Sequence, residues 1–373
     1  MPGHSRLPPS GASAWTRCPG WVGMQQAYPE MGSDAEAAAE GTAAHWAAAE
    51  GLLGRMAAPG VVDPAGTVVD EEMLEAVGLY LADVWQVCAE AGVTPVVEQP
   101  VAIPRVHPEC WGTPDAWAYD AKRGILYVWD FKYGHRFVEV VDNLQLIAYA
   151  AGLLDSLGIN GQQDQHVRLS LRIVQPRAYT RDGPVRHWEI LASDIRGPVN
   201  LLAAAAVEAL SDSPTYRAGD QCQYCAGRHT CRALQHAAAG AADTATRELP
   251  VQMPPGAVGH ELRLLRRALA LLESRCSGLE LEALRMLGKG ERVPYWAAQQ
   301  SSGRARWAKP VEEVLALGQM FGVDLAKPAE PITPKQAAAL IDESVINAYS
   351  EKPKGAMKLV PLNETSVKKV FQQ

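Results

Sequence analysis

Three residues carry the chemistry that the sequence offers first: Asp115, Asp130 and Lys132. The segment WGTPDAWAYDAKRGILYVWDFKYG reads as a β-hairpin, with two apolar, aromatic runs around a polar turn at Asp120 to Gly124. A turn centred between Lys122 and Arg123 sets Asp115 opposite Asp130, with Cβ atoms roughly 5 Å apart. Strand alternation puts Lys132 on the face of Asp130. Two carboxylates this close repel and stay ionised only with a cation between them. Oxygen donors of this kind select Mg²⁺ or Mn²⁺. The lysine can orient the attacking water or stabilise charge developing on a phosphate. That is machinery for phosphodiester hydrolysis. A bare D-x-K also recurs by chance on solvated strand faces, so the rest of the chain has to support it.

Three further features do. His45 lies on a helix that could cross the sheet, and a neutral imidazole is a good ligand for a divalent ion. Gln145 and Tyr149, four residues apart on the helix after the D-x-K strand, share a helix face and could hold a DNA phosphate or sugar. Taken singly, each reads as well as an ordinary helix-surface residue. The third feature is the cysteine set. Of seven cysteines, Cys222, Cys225 and Cys231 crowd into ten residues. A tetrahedral metal or a cluster wants four thiolates, and Cys18 in TRCPGW is the candidate fourth. A zinc knuckle using His229, or unligated thiols, are the alternatives. Cys88, Cys110 and Cys276 read as core or incidental thiols. Glu98, on the preceding β-like stretch, is not expected to be a ligand.

These residues must be positioned by an α/β framework. A helix is expected over SDAEAAAEGTAAHWAAAEGLLG, with Ser33 as cap and Glu36 as its capping-box acid, and a second from Asp70 to Gly92. VTPVVEQPVAIP is β-like. After the hairpin come a helix from Asp142 to Leu157, strands in RLSLRIVQPRAY and HWEILA, and a helix over SDIRGPVNLLAAAAVEALSD. The order implies a mixed sheet flanked by helices. The small-residue stretch from His236 reads as a linker. Beyond it lie a long amphipathic helix over HELRLLRRALALLESRCSGLELEALRML, the β-like VPYWAAQQSSGRARWAKP, and helices in EEVLALGQMFG and TPKQAAALIDESVINAY. A Lys-rich tail after Glu351 is expected to be loosely held. The expected division is 1–235, a linker at 236–256, and a mainly helical region at 257–373.

The order of motifs resembles the RecB-type PD-(D/E)XK nucleases: helix His45, Pro114-Asp115, Asp130-Phe131-Lys132, and Gln145-x₃-Tyr149. One cysteine before this unit and three after it look like its iron–sulfur branch, which includes AddB-type nuclease domains and CRISPR adaptation nucleases. SRLPPSGASAWTRCPG, followed by AEGTAAH, VPYWAAQQSSGRARW and KLVPLNE, looks closer still to a phage family of RecB-like proteins. The resemblance implies a restriction-endonuclease-like core with an iron–sulfur staple. It implies that His45, Asp115, Asp130 and the backbone carbonyl of Phe131 bind Mg²⁺ or Mn²⁺, and that Lys132 is the catalytic lysine. It also implies that Gln145 and Tyr149 position DNA, and that Cys18, Cys222, Cys225 and Cys231 hold a 4Fe-4S cluster, with zinc the alternative. The activity implied is a DNA exonuclease, acting on linear duplex ends beside a phage single-strand annealing protein. The competing readings are an endonuclease or flap nuclease, and a non-catalytic iron–sulfur DNA-binding or assembly protein.

Composition is compatible with this. The 373 residues are 47% apolar and 21% charged, the profile of a globular protein, with no apolar run long enough to span a bilayer. The N-terminus lacks a signal-peptide core, so the expected location is the cytoplasm, that of the host if the protein is phage-encoded. A net charge of −7 leaves any DNA track to a local basic patch.

Overall fold

Ile125–Phe131 is an apolar run bounded by a turn, the pattern of a strand covered on both faces. In the computed structural model it is the middle strand of a five-stranded mixed sheet. The structure describes residues 5–31, 35–159, 161, 163–178, 183–245, 253–302, 306–307, 309–326, 334–337, 341–351 and 354–361. Helices α1 (Ala12–Arg17), α2 (Trp21–Ala27), α3 (Ala35–Leu52) and α4 (Glu71–Ala91) come first. Strands β1 (Val96–Val97), β2 (Val101–Ala102), β3 (Trp111–Gly112), β4 (Ala116–Asp120) and β5 (Ile125–Phe131) follow. Then come α5 (Leu144–Ser156), β6 (Arg168–Val174), β7 (Val185–Leu191), α6 (Arg196–Ala209) and α7 (Arg232–Ala245). The chain continues through α8 (Pro255–Gly288), β8 (Trp296–Ser302), β9 (Arg306–Trp307), α9 (Val311–Met320), α10 (Pro334–Ala337), α11 (Glu343–Tyr349), β10 (Ser350–Glu351) and β11 (Lys354–Pro361).

The sheet order is β1-β4-β5-β6-β7, and only β5 and β6 run parallel, joined by α5. Leu126 and Val128 of β5 pack into the core that holds α5 and α6, while Tyr127, Trp129 and Phe131 pack into the core that holds α3 and α4. Side-chain alternation along one strand thus joins two helical layers to one sheet.

Local signals explain the ends of these elements. Asp70 caps α4 by accepting the Met73 N–H at 2.8 Å, and Gly92 ends it in the left-handed region. Asn143 caps α5 through the N–H groups of Gln145 and Leu146. Asp120 accepts the Lys122 and Arg123 N–H groups in the hairpin turn. Gly152 lets α5 approach β2: a Cβ there would lie 2.6 Å from the Ala102 carbonyl oxygen.

On the α4 side, Arg172 of β6 grips Asp83 of α4 through two bonds of 2.9 and 2.6 Å, and the Trp129 indole donates to the same carboxylate at 2.8 Å. Removing one member of such a buried pair strands the other charge. Arg172→Ala should therefore cost about 3–5 kcal/mol of stability, read from urea unfolding; a loss within experimental error would show that α4 is held by apolar packing alone.

Several expectations are corrected. His236 begins no linker: α7 runs from Arg232 to Ala245. The small-residue run is mostly alanine, the best helix former. Ser33 and residues 246–252 lie outside the described residues. The lysine-rich tail is not loose throughout, because Lys354–Pro361 pairs with β8. The expected helix over TPKQAAALIDESVINAY is two pieces, the second capped by Asp342. Contacts divide the chain into units 1–278 and 279–373, so the boundary lies within α8 rather than at residue 236. The second unit has a small apolar core around Val314, Leu317, Leu325 and Ile346, and two two-stranded sheets. Among the described residues, no helix is long and apolar enough to cross a membrane.

Candidate active site

The hairpin has the expected register. Ala116 pairs with Trp129 and Ala118 with Tyr127, and Asp115 lies one residue before the last pair as Asp130 lies one residue after it. The Phe131 N–H donates to Asp115 Oδ2 at 2.6 Å, which turns Asp115 Oδ1 outward to His45 Nδ1 at 3.0 Å. His45 reaches this point because α3 packs against α4 in the core it shares with Trp129 and Phe131, and its ring lies 5.6 Å from that of Phe131. Asp130 is 2% exposed. Lys132 Nζ meets both its oxygens, at 3.0 and 2.9 Å. Gln145, in the first turn of α5, accepts from Lys132 at 3.1 Å and donates to Asp130 at 2.9 Å.

Glu98 was not expected here. Val96 pairs with Trp117 and Val97 with Ala116, so Glu98 continues the rung to Asp115, and its N–H donates to the Asp115 carbonyl at 3.2 Å. One ligand atom from each of His45, Glu98 and Asp115 lies within 4.8 Å of the others. Glu98, just after β1, and Asp115, just before β4, thus meet His45, while Asp130 of β5 is not one of that group. Sequence alone did not place Glu98 here, because the β1–β4 pairing joins strands of two and five residues across a loop and no tight turn sets its register.

Electrostatics tie the group together. Burial alone would lower the His45 imidazole, but the Asp115 carboxylate overrides it by charge and hydrogen bond and raises it to about 9. Burial pushes Asp115 up, and His45 and Lys132 more than offset it, leaving this carboxyl below its ordinary value. Asp130 goes the other way: burial and the Asp115 charge raise it despite Lys132. Burial would lower Lys132, but the two aspartates raise it. Burial, then Asp115, lift Glu98 to about 7. Neighbouring carboxylates pushed in opposite directions mark a site that a cation would relieve. Two carboxylates and an imidazole suit Mn²⁺ or Mg²⁺.

Tyr149, one helical turn after Gln145 on α5, is 5% exposed. It therefore supports Gln145 from behind instead of presenting itself to a strand of DNA, a correction to its expected role. Tyr80, which the sequence did not single out, packs its ring 5.0 Å from Phe131. Its hydroxyl is buried and has no hydrogen-bond partner among the described residues.

Cys18, Cys222, Cys225 and Cys231 are all buried and line one cavity with Trp21, Met24 and Leu234. The Arg217 N–H donates to Cys18 Sγ at 3.3 Å and the Gly219 N–H to Cys222 Sγ at 3.4 Å. Burial raises the Cys18 and Cys222 thiols, and lifts Cys225 to about 12. His229 turns its Nδ1 to the Ala226 carbonyl and its ring to Tyr28. Cys88 and Cys110 are buried, and Cys276 is exposed.

Residues 4–366 match the family described as a protein of unknown function, DUF2800. The chain belongs to DUF2800. The match includes the carboxylate site and all four clustered cysteines. Among solved structures, the crystal structure of SSO0001 is similar to this DUF2800 chain at 14% identity and a TM-score of 0.29, over 62% of this chain and 89% of that one. A likeness this slight carries no argument about fold details or activity.

Proposed function

We propose that this DUF2800 member is a divalent-cation-dependent deoxyribonuclease with a RecB-type PD-(D/E)XK core and an iron–sulfur staple. The observation that carries the reading is the rung of Asp115 and Asp130 closed by Lys132, with His45 on one side and Gln145 on the other. His45, Asp115, Asp130 and the Phe131 carbonyl are the cation donors this reading assigns, and Glu98 joins them. A Mg²⁺ or Mn²⁺ ion held there would polarise the scissile phosphate and make a water more acidic. Lys132, fixed by Asp130 and Gln145, stabilises the charge that builds on the phosphate oxygens. Gln145 keeps the lysine and Asp130 in place, and Tyr149 keeps Gln145 in place.

The four buried thiols support a metal cofactor. Burial raises the Cys18, Cys222 and Cys225 thiols, so these three stay neutral unless a metal takes the charge. The engagement of His229 with Ala226 and Tyr28 favours an all-cysteine set over a zinc knuckle that uses His229; a 4Fe-4S cluster rather than a four-cysteine zinc site is what the resemblance to the iron–sulfur branch implies. A brown protein with broad visible absorption is the expected preparation; a colourless one containing zinc would overturn the cluster.

The substrate in this reading is the end of linear DNA, in the host cytoplasm and beside a single-strand annealing protein. Purified protein with Mg²⁺ should degrade end-labelled linear duplex and spare covalently closed circles. Cutting of circles would make it an endonuclease. Intact linear DNA with either cation would sink the nuclease reading.

A further inference from the structure

Helix α8 carries a second apolar stripe that the described residues do not cover. Its inner face packs Leu271 against Cys222, Cys231 and Leu234, and Arg275 donates to the Arg228 and His229 carbonyls. On a different face, Val258, Leu262, Leu265, Leu269, Leu272 and Cys276 follow one another at steps of four and three residues. Val258 is 49% exposed, Leu262 51%, Leu265 38% and Leu269 55%, and Cys276 is exposed too. A strict alternation of four and three is the seam of a coiled coil, not the 3.6-residue stripe of a helix laid on a globular core.

We infer that this face of α8 pairs with the same face of a second copy of the chain, in parallel and in register, as a two-stranded coiled coil. The flanking charges select the direction. Leu262, Leu269 and Cys276 occupy the first core position of each heptad; Val258, Leu265 and Leu272 occupy the second. Glu261 then precedes one core residue and Arg266 follows another, five positions on. In a parallel pair Glu261 faces Arg266 of the second copy, and symmetry makes that contact twice. The next such positions, Ala268 and Glu273, add no repulsion. In register, Cys276 of one copy meets Cys276 of the other. In an antiparallel pairing of the same seam it faces Val258. The seam from Val258 to Cys276 spans about 27 Å, so association should be reversible and concentration-dependent.

Sedimentation of the full chain at tens of micromolar should give a mass near twice 40.2 kDa, returning to the monomer on dilution. L265E/L269E should be monomeric and should melt as the dilute, monomeric wild type does, since both positions are exposed. A short bis-maleimide should join two chains through Cys276, and C276S should abolish the adduct. E261R and R266E should each weaken the dimer by roughly fivefold or more, and the double variant should restore it. A monomer up to roughly 100 µM, a dimer that survives L265E/L269E, or a dimer that never cross-links through Cys276 would each overturn the proposal. None of these readouts depends on nuclease activity, so the two proposals stand or fall separately.

Discussion

Lys132→Met should lower Mg²⁺-dependent cleavage of linear duplex by about 10²–10³-fold, the usual cost of losing one charge-stabilising donor. The loss should fall on kcat, with KM nearly unchanged, because Lys132 is 24% exposed at its side chain and is assigned to the reacting phosphate rather than to the flanking DNA. The variant has a second signature. Lys132 neutralises Asp130, whose side chain is 2% exposed. Its loss leaves a buried carboxylate with Gln145 alone. Breaking a buried pair costs about 3–5 kcal/mol, reduced here because Asp130 already holds its proton more tightly than an ordinary aspartate. Divalent cations should restore part of that stability in Lys132→Met and little in Asp130→Asn, which loses a donor. Paired thermal melts with and without Mn²⁺, run beside the cleavage kinetics, read both effects. Wild-type rates in Lys132→Met would remove the lysine from the chemistry.

Cys225→Ser should be the most destabilising of the single changes. The four thiols connect the turn after α1 to the segment before α7, so the metal group proposed for them would close a loop over most of the first unit. Closing a loop of that size is worth about 5 kcal/mol in chain entropy, and at about 2–4 °C per kcal/mol the melting temperature should fall by about 10–20 °C. The visible absorption should fall with it. The damage should reach the carboxylate site. Arg136, four residues beyond Lys132, donates to Gln223 at 3.1 Å and lies over the Tyr224 ring, both between Cys222 and Cys225. Gln175 and Arg186 hold the rest of that loop, through the Gly134, Arg136 and Val138 backbone. Loss of the cysteine lobe should therefore lower cleavage as well as stability. A Cys225→Ser protein with unchanged melting and colour would mean that the thiols bind nothing.

What could be read from residues alone depended on how local the deciding interaction is. The β4–β5 register follows from a tight turn capped by Asp120, so the facing of Asp115 and Asp130 needed no tertiary information. The limits of α4 follow from Asp70 and Gly92. The grouping of Cys222, Cys225 and Cys231 follows from residue type and spacing, whereas Cys18 reaches them only through the fold. The run after Cys231 is decided locally too: its small residues suggest flexibility, but their alanine content favours helix.

Other features were decided by partners distant in sequence. Glu98 joins the rung only because β1 pairs with β4, and nothing between them is short enough to set that register. Tyr149 turns inward because α5 lies flat on the sheet, where Gln145 and not Tyr149 stands over Asp130. The seam on α8 was visible as amphipathicity, but that one apolar stripe packs on the cysteine lobe while another remains exposed is a matter of packing. The sequence by itself determined the pair of facing carboxylates, their lysine and the three clustered thiols. Only the tertiary structure decided that His45 and Glu98 complete the pair, because both reach Asp115 through contacts between elements that local chain geometry does not control.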